Sequence, residues 1–182
     1  SSSSLFIPKF SKKINFQKPI SKISPVEKHA VEFFVKLKIT DNEALSVGRA
    51  AGLDLEKFKF FGFDFSGGKA ELEKIIHGGS LLNTEKEAVF VKLGGKILQF
   101  SKDHGLVPVK FKLSANRILA REKDTSLDES CEQTLNRQLG KNLVKNFASG
   151  ILWATDDSGE KFEKALAGNF FHHPAAGKVF SI

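Results

Sequence analysis

Apolar and polar residues recur along this chain with two periods, one typical of helices and one typical of strands. Residues 24–39 are predicted to form the first helix, because Ser24, Pro25 and Glu27 make an N-terminal capping pattern and apolar residues follow at helical spacing. Similar stripes between capping residues and glycines predict helices over 41–52, 66–79, 96–104, 115–122, 126–148 and 157–167. Alternating or β-branched runs predict strands over 57–65, 88–93, 106–113, 151–155 and 178–182.

Short strands set among longer helices indicate an α+β fold. We expect a single compact domain of about six helices and a small mixed sheet over residues 24–182, preceded by an extended basic N-terminal arm over residues 1–23. One alternative stays open, because Gly94 and Gly95 either lead into a helix from Lys96 or turn a simple hairpin. The longest helix is expected to bury one stripe of residues: Leu127, Cys131, Leu135, Leu139, Leu143 and Phe147.

Positive charge is concentrated at the N-terminal end of the chain. Of the 28 Lys and Arg residues, five lie within residues 1–26, which contain no Asp or Glu. The other 23 are nearly balanced by the 21 acidic residues, although the whole chain has a formal charge of +7. A basic segment beside a balanced domain suggests contact with an acidic partner, such as RNA, DNA, an acidic protein or a membrane surface.

The N-terminal arm is also more apolar than a typical disordered tail, with its apolar residues spaced between lysines and prolines. This composition favours an extended segment that lies in a groove. We therefore expect a non-enzymatic binding or assembly protein, a subunit of a complex that uses no cofactor. The side chains expected to contact the partner are Lys9, Lys12, Lys13, Lys18 and Lys22, which would meet acidic groups, and Phe6, Phe10 and Phe16, which would fill apolar pockets.

Residues 44–61, together with the basic N-terminal arm, suggest an alternative function, nucleic-acid binding. Their spacing resembles a helix-turn-helix, with one helix that stops at Gly52 and a second that begins near Asp54. That second helix would expose two acids and two lysines, Asp54, Glu56, Lys57 and Lys59, and the two acids would be repelled by phosphate groups. Two successive helices with no role in recognition explain the same spacing.

A further alternative is a small hydrolase or transferase with a site near His172 and His173. Adjacent residues of an extended segment point to opposite sides, so this pair is a poor metal chelator, and no metal site is predicted. Cys131 could act as a nucleophile, but it lies on an apolar stripe between Glu129 and Glu132, whose carboxylates would raise a thiol pKa. We expect Cys131 to be a core residue.

The remaining sequence features narrow the cellular setting more than the function. No apolar run approaches the ~20 residues that span a bilayer, and a single Cys excludes an internal disulfide. The chain begins at Ser1 and contains no Met, so we expect a soluble, processed or excised chain of intracellular or organellar location. Glycine-rich turns at 66–69 and 94–96 could bind phosphate through backbone N–H groups, but tight turns need glycine for conformational reasons alone.

Overall fold

A computed structural model describes residues 24–25, 29–114, 116–122, 126–157, 159–167 and 177–181. More of these residues lie in strands than in helices. The strands are β1 (Ser24–Pro25), β2 (Val31–Leu37), β3 (Glu56–Phe65), β4 (Glu87–Leu93), β5 (Lys96–Ser101), β6 (Gly105–Pro108), β7 (Asn116–Glu122), β8 (Val144–Thr155) and β9 (Gly177–Ser181). The helices are α1 (Asn42–Ala51), α2 (Lys69–His77), α3 (Ser126–Leu139) and α4 (Gly159–Ala167).

All nine strands belong to one sheet, in the order β1-β9-β7-β8-β3-β2-β4-β5-β6. Neighbouring strands are antiparallel, except that β1 and β9 are parallel. At the β6 edge, the Leu106 N–H donates to the Glu73 carboxylate of α2 at 2.7 Å. Pro108 has no N–H to offer, so the exposed edge presents few free donors to another strand.

The four described helices pack on one side of the sheet, the helical face. Helices α2 and α3 cover a buried cluster that includes Phe33, Phe63 and Val91, each 0% exposed. Helices α1 and α4 cover a second cluster around Ile118 and Trp153. Burial of these large side chains is the main source of stability on this face, at about 1.5–3 kcal/mol for each.

The opposite side of the sheet, the aromatic face, carries its own buried cluster, and none of that cluster's described members is helical. Its centre consists of Phe34, Phe58, Phe60, Leu119 and Leu152, none more than 3% exposed. Residues 109–114, the strap, cross this face from β6 to β7. Six strand spacings of about 4.8 Å separate those strands. The eight residue steps from Pro108, the end of β6, to Asn116, the start of β7, reach only about 26–29 Å when fully extended. This length barely spans the distance between the two strands, so the strap takes a direct path over the face.

The predicted fold class is wrong in its proportions. The described part of the chain holds four helices, not about six, and a nine-stranded sheet instead of a small mixed one. The cause is burial on both sides of the sheet. In β2, Val31, Phe33 and Val35 face the helices while Phe34 lies on the aromatic face, so the strand is apolar almost throughout. Periodicity alone does not distinguish such a run from a buried helix.

Within the described residues, three predicted helical segments form strands instead, and a fourth does so only in its last part. The segment 24–39 contains β1 and β2, the segment 96–104 contains β5, and the segment 115–122 contains β7. The predicted helix 126–148 ends at Leu139, and its last part belongs to β8. Leu127 on its predicted buried stripe is 75% exposed, whereas Leu135 is fully buried. The hairpin alternative at Gly94 and Gly95 is confirmed, because β4 and β5 pair across them and both have positive φ, 58° and 80°.

Other predicted elements are confirmed. The helix predicted over 41–52 is α1, with the Asp41 side chain accepting from Ala44 N–H and Gly52 in the left-handed conformation at φ 71°. The strand 57–65 is β3, and the helices 66–79 and 157–167 correspond to α2 and α4. The strand 151–155 forms the end of β8, and 178–182 corresponds to β9. These segments combine a clear start or stop signal with an unambiguous period.

The division into an arm over 1–23 and a domain over 24–182 stays a prediction, because the first segment lies outside the described residues. Within the ranges that the structure describes, no helix is long and apolar enough to cross a membrane.

Candidate anion-binding site

The site residues predicted from the sequence all lie outside the described residues. They are Lys9, Lys12, Lys13, Lys18, Lys22, Phe6, Phe10, Phe16, His172 and His173. Their proposed roles therefore remain predictions. The helix-turn-helix interpretation of 44–61 is wrong, because the segment contains α1 followed by the start of β3 and no second helix. Phe58 and Phe60 alternate with lysines there, as a strand requires.

The structure forms a different candidate site where α3 turns into β8. A surface hollow of about 690 Å³ lies at this turn. Three exposed cations line it: Arg137 from the last turn of α3, Lys141 from the loop and Lys145 from β8. The remaining lining residues are Glu132, Gln133, Asn136, Gly140, Asn142 and Val144. Most of the lining is therefore polar or cationic.

Backbone hydrogen bonds and one side chain fix the shape of this cationic hollow. Gly140 has φ 71°, and its N–H donates to the Arg137 carbonyl while the Lys141 N–H donates to the Asn136 carbonyl, both at 3.2 Å. This pair of bonds is a Schellman ending, which requires the left-handed glycine. The Asn136 amide then holds the first residue of β8, donating to the Val144 carbonyl at 2.9 Å and accepting from its N–H at 2.8 Å.

The cations of the hollow lack direct ion-pair partners in the described part of the chain, although Lys141 is near enough to Glu71 to interact with it electrostatically. Arg137, Lys141 and Lys145 make no ion pair with any residue that the structure describes. The acidic residue in the lining, Glu132, accepts a hydrogen bond from the Phe147 N–H at 3.1 Å. The lining thus has a formal charge of +2, and mutual repulsion of the cations would be relieved by a bound anion.

A second hollow, of about 350 Å³, lies beside β4, β5 and β6 and differs in its electrostatics. Its two lysines already have partners. The Lys38 ammonium donates to the Thr84 carbonyl at 2.9 Å, and the Lys102 ammonium pairs with the Glu85 carboxylate. The hydrogen bond from the Lys102 ammonium holds the pKa of Glu85 below its usual value. This hollow therefore offers an anion less uncompensated charge than the cationic hollow does.

The two glycine-rich turns serve conformational roles. At the start of α2 the Gly68 N–H donates to the Glu71 carboxylate at 2.7 Å, so a side chain of the same helix occupies the place where a phosphate would bind. This bond, with help from Lys74 and Lys141, lowers the pKa of Glu71. Gly94 and Gly95 turn the β4–β5 hairpin, and no helix begins there.

Cys131 does not present an activated thiol. The residue is partly buried and packs against the core cluster under α3, as expected from its place on the apolar stripe. Burial raises the pKa of the thiol, and the nearby Asp128 carboxylate raises it further. Asp128 itself is buried, pairs with Arg121 at 2.9 Å and accepts from the Ser149 hydroxyl, so this polar cluster ties α3 to β7 and β8.

Among the described residues, no group of three or more His, Cys, Asp and Glu side chains is placed to hold a metal ion. Comparison with known proteins adds no relative: no protein family, curated protein or solved structure matches this chain. Any functional proposal therefore depends on the residues themselves.

Sequence reasoning missed the cationic hollow, although one signal was present. Arg137, Lys141 and Lys145 are spaced four residues apart, which in the predicted helix 126–148 would make a basic stripe on one face. The structure brings the same residues together by a different route, with a turn at Gly140 in place of a continuous helix. The spacing was informative even though the secondary structure assigned to it was wrong.

Proposed function

We propose that this protein is a non-enzymatic binding or assembly protein that docks on an acidic segment of a protein partner. The observation that carries the proposal is the cationic hollow, in which Arg137, Lys141 and Lys145 are exposed and unpaired within the described structure. The basic N-terminal arm, residues 1–23, is proposed to supply further contacts through its five lysines.

The chemistry of the cationic hollow favours carboxylates on a polypeptide over a nucleic-acid backbone. An arginine guanidinium pairs with a carboxylate through two parallel hydrogen bonds, and the Gln133 and Asn142 amides can bind backbone groups of a peptide. A protein that follows a nucleic-acid backbone commonly neutralises about 6–10 phosphates. Three cations confined to one hollow suit a short acidic segment better.

The size of the expected effect follows from exposed ion pairs. Each contributes about 0.2–1 kcal/mol, so three together correspond to a roughly 3- to 150-fold change in affinity. The test is the fluorescence anisotropy of a labelled hexaglutamate peptide titrated with the full chain. The variant Arg137→Glu, Lys141→Glu, Lys145→Glu should weaken binding at least tenfold, because reversal adds repulsion to the lost attraction.

A matched control separates the cationic hollow from general charge. The variant Lys92→Glu, Lys110→Glu, Lys112→Glu changes the net charge equally at exposed positions that do not line the hollow. Equal losses in the two variants would contradict a specific site. Tighter binding of a single-stranded RNA than of hexaglutamate, weakened by the same hollow substitutions, would instead show a nucleic-acid-binding protein.

The contribution of the arm is tested in the full chain. Glutamine at Lys9, Lys12, Lys13, Lys18 and Lys22 removes the same five charges without shortening the protein. We expect weaker hexaglutamate binding and a shallower dependence on salt. Unchanged affinity would restrict the proposal to the cationic hollow.

A further inference from the structure

The strap covers the aromatic face but makes few backbone hydrogen bonds to the sheet. Within the described residues, the strap makes one backbone hydrogen bond to the sheet, from the Val109 N–H to the Ile97 carbonyl at 3.2 Å. The strap is otherwise retained by side chains, chiefly Phe111 and Leu113, which pack against the buried cluster. Lys110 and Lys112 alternate with them and are exposed. A segment retained in this way can leave without breaking a strand pairing.

Phe111 occupies a site suited to another flat apolar group. Its ring stacks on Phe90, with centroids 4.0 Å apart and an interplanar angle of 12°, and it meets the Phe58 ring edge-on at 6.0 Å. Phe34 lies beyond Phe58, with a centroid distance of 6.4 Å. Stacked and edge-on partners on one surface bind aromatic or acyl groups of many shapes, because the contact depends on area more than on hydrogen bonds.

A buried hydrogen-bond donor without a partner lies at one end of the same face. The Nε atom of Arg117 is buried and has no hydrogen-bond partner in the described structure. Arg117 and Glu56 both pair with Ala154. Each lies two residues from a member of the aromatic cluster on its own strand, Leu119 and Phe58, so both belong to the aromatic side of the sheet. The Glu56 carboxylate is already engaged by the Lys36 ammonium at 2.6 Å and the Ser114 hydroxyl at 3.2 Å. A buried donor without an acceptor is costly, and an anionic ligand group would satisfy it.

We infer that the aromatic face is a binding site for an amphipathic anion with an aromatic or acyl body and a carboxylate or sulfonate head. The apolar body replaces Phe111 and Leu113 against Phe58 and Phe90, and the head accepts the Arg117 Nε–H. The strap moves aside to admit the ligand. Charge complementarity with Arg117 is what distinguishes this occupant from a neutral one.

The probe is 1-anilinonaphthalene-8-sulfonate, whose fluorescence rises in an apolar site, with dodecanoate as competitor. The wild-type chain should bind the probe, and dodecanoate should displace it. Arg117→Gln should weaken binding at least tenfold, whereas Arg49→Gln, which removes an exposed charge on α1, should leave it unchanged. Phe111→Ala should tighten binding about tenfold, and Lys112→Ala on the exposed side of the strap should have no such effect.

Hydrogen exchange of residues 110–114 gives a readout that does not depend on fluorescence. Bound dodecanoate should accelerate exchange of these amides, since the strap leaves the face. Cooperative thermal unfolding of each variant excludes probe binding to a partly unfolded chain. Failure of both the wild type and Phe111→Ala to bind would overturn the proposal, as would equal losses in Arg117→Gln and Arg49→Gln. Displacement of the probe by a neutral apolar peptide as effective as dodecanoate would make the occupant a polypeptide and the proposal wrong.

Discussion

Replacement of Asn136 by alanine is the sharpest test of how the cationic hollow is built. The Asn136 amide makes two hydrogen bonds to the backbone of Val144, a residue that is 1% exposed. Alanine removes both bonds and leaves a buried N–H and a buried C=O without these partners. A net loss of about 0.5–1.5 kcal/mol for each bond, rising toward about 1–3 kcal/mol where a group stays unsatisfied, gives an expected destabilisation of about 2–4 kcal/mol.

Urea unfolding followed by circular dichroism measures this change. With an m-value of about 2 kcal/mol per molar urea, the midpoint should fall by about 1–2 M while m stays constant. Gln133→Ala is the matched control, because Gln133 is an exposed amide on the same helix and lines the same hollow. The free energy of unfolding of this variant should differ from that of the wild type by no more than about 0.5 kcal/mol, so its midpoint should hardly shift. Equal midpoints in the two variants would show that the two hydrogen bonds from Asn136 to Val144 do not hold α3 to β8, and that they do not fix the shape of the hollow.

Gly105→Ala should destabilise the protein more than Gly94→Ala in the same urea assay. Both positions have positive φ, which costs a residue other than glycine about 1–2 kcal/mol. Only the methyl group at position 105 would also collide with the Glu73 carboxylate. Equal costs would show that this carboxylate moves freely. The lowered pKa of Glu71 adds stability that is present above its unfolded pKa and lost as pH falls through its folded pKa, so the advantage of the wild type over Glu71→Gln in Tm should disappear in acid. An advantage that persisted in acid would refute this linkage. Since the pKa of the Cys131 thiol is raised, iodoacetamide should alkylate the native protein more slowly at neutral pH than the urea-unfolded chain, and equal rates would contradict its burial.

The sequence predicted those elements in which a local signal agrees with the packing. Gly52 ends α1 in a left-handed conformation, with the Leu53 N–H bonded to the Gly48 carbonyl at 2.8 Å. Glycine at this position is a local requirement that no distant contact can replace. The strand predicted over 57–65 is also confirmed. β3 carries aromatic residues on both faces, but Lys57 and Lys59 interrupt the aromatic run and make the two-residue period of a strand visible.

Prediction failed where the period of a segment is ambiguous and the outcome depends on distant strands. Residues 31–37 carry apolar side chains toward both faces, and they form a strand because β3 and β4 pair with them on either side. In 126–148, Leu143 and Phe147 continue a helical spacing by coincidence, although Gly140 reverses the chain before them. Helix propensity is a weak preference, and pairing within a large sheet outweighs it.

The cationic hollow shows why net charge is a poor guide to a binding surface. Beyond residue 26 the chain is nearly neutral, yet the described acids are not spread evenly among the described cations. Lys36, Lys57 and Lys59 each pair with carboxylates, as do Lys102 and Arg121. Acids committed to these pairs are not available at the turn between α3 and β8, so a balanced composition still leaves a local positive excess there. The position of that excess depends on which charges the fold brings together, and this is information that composition does not contain.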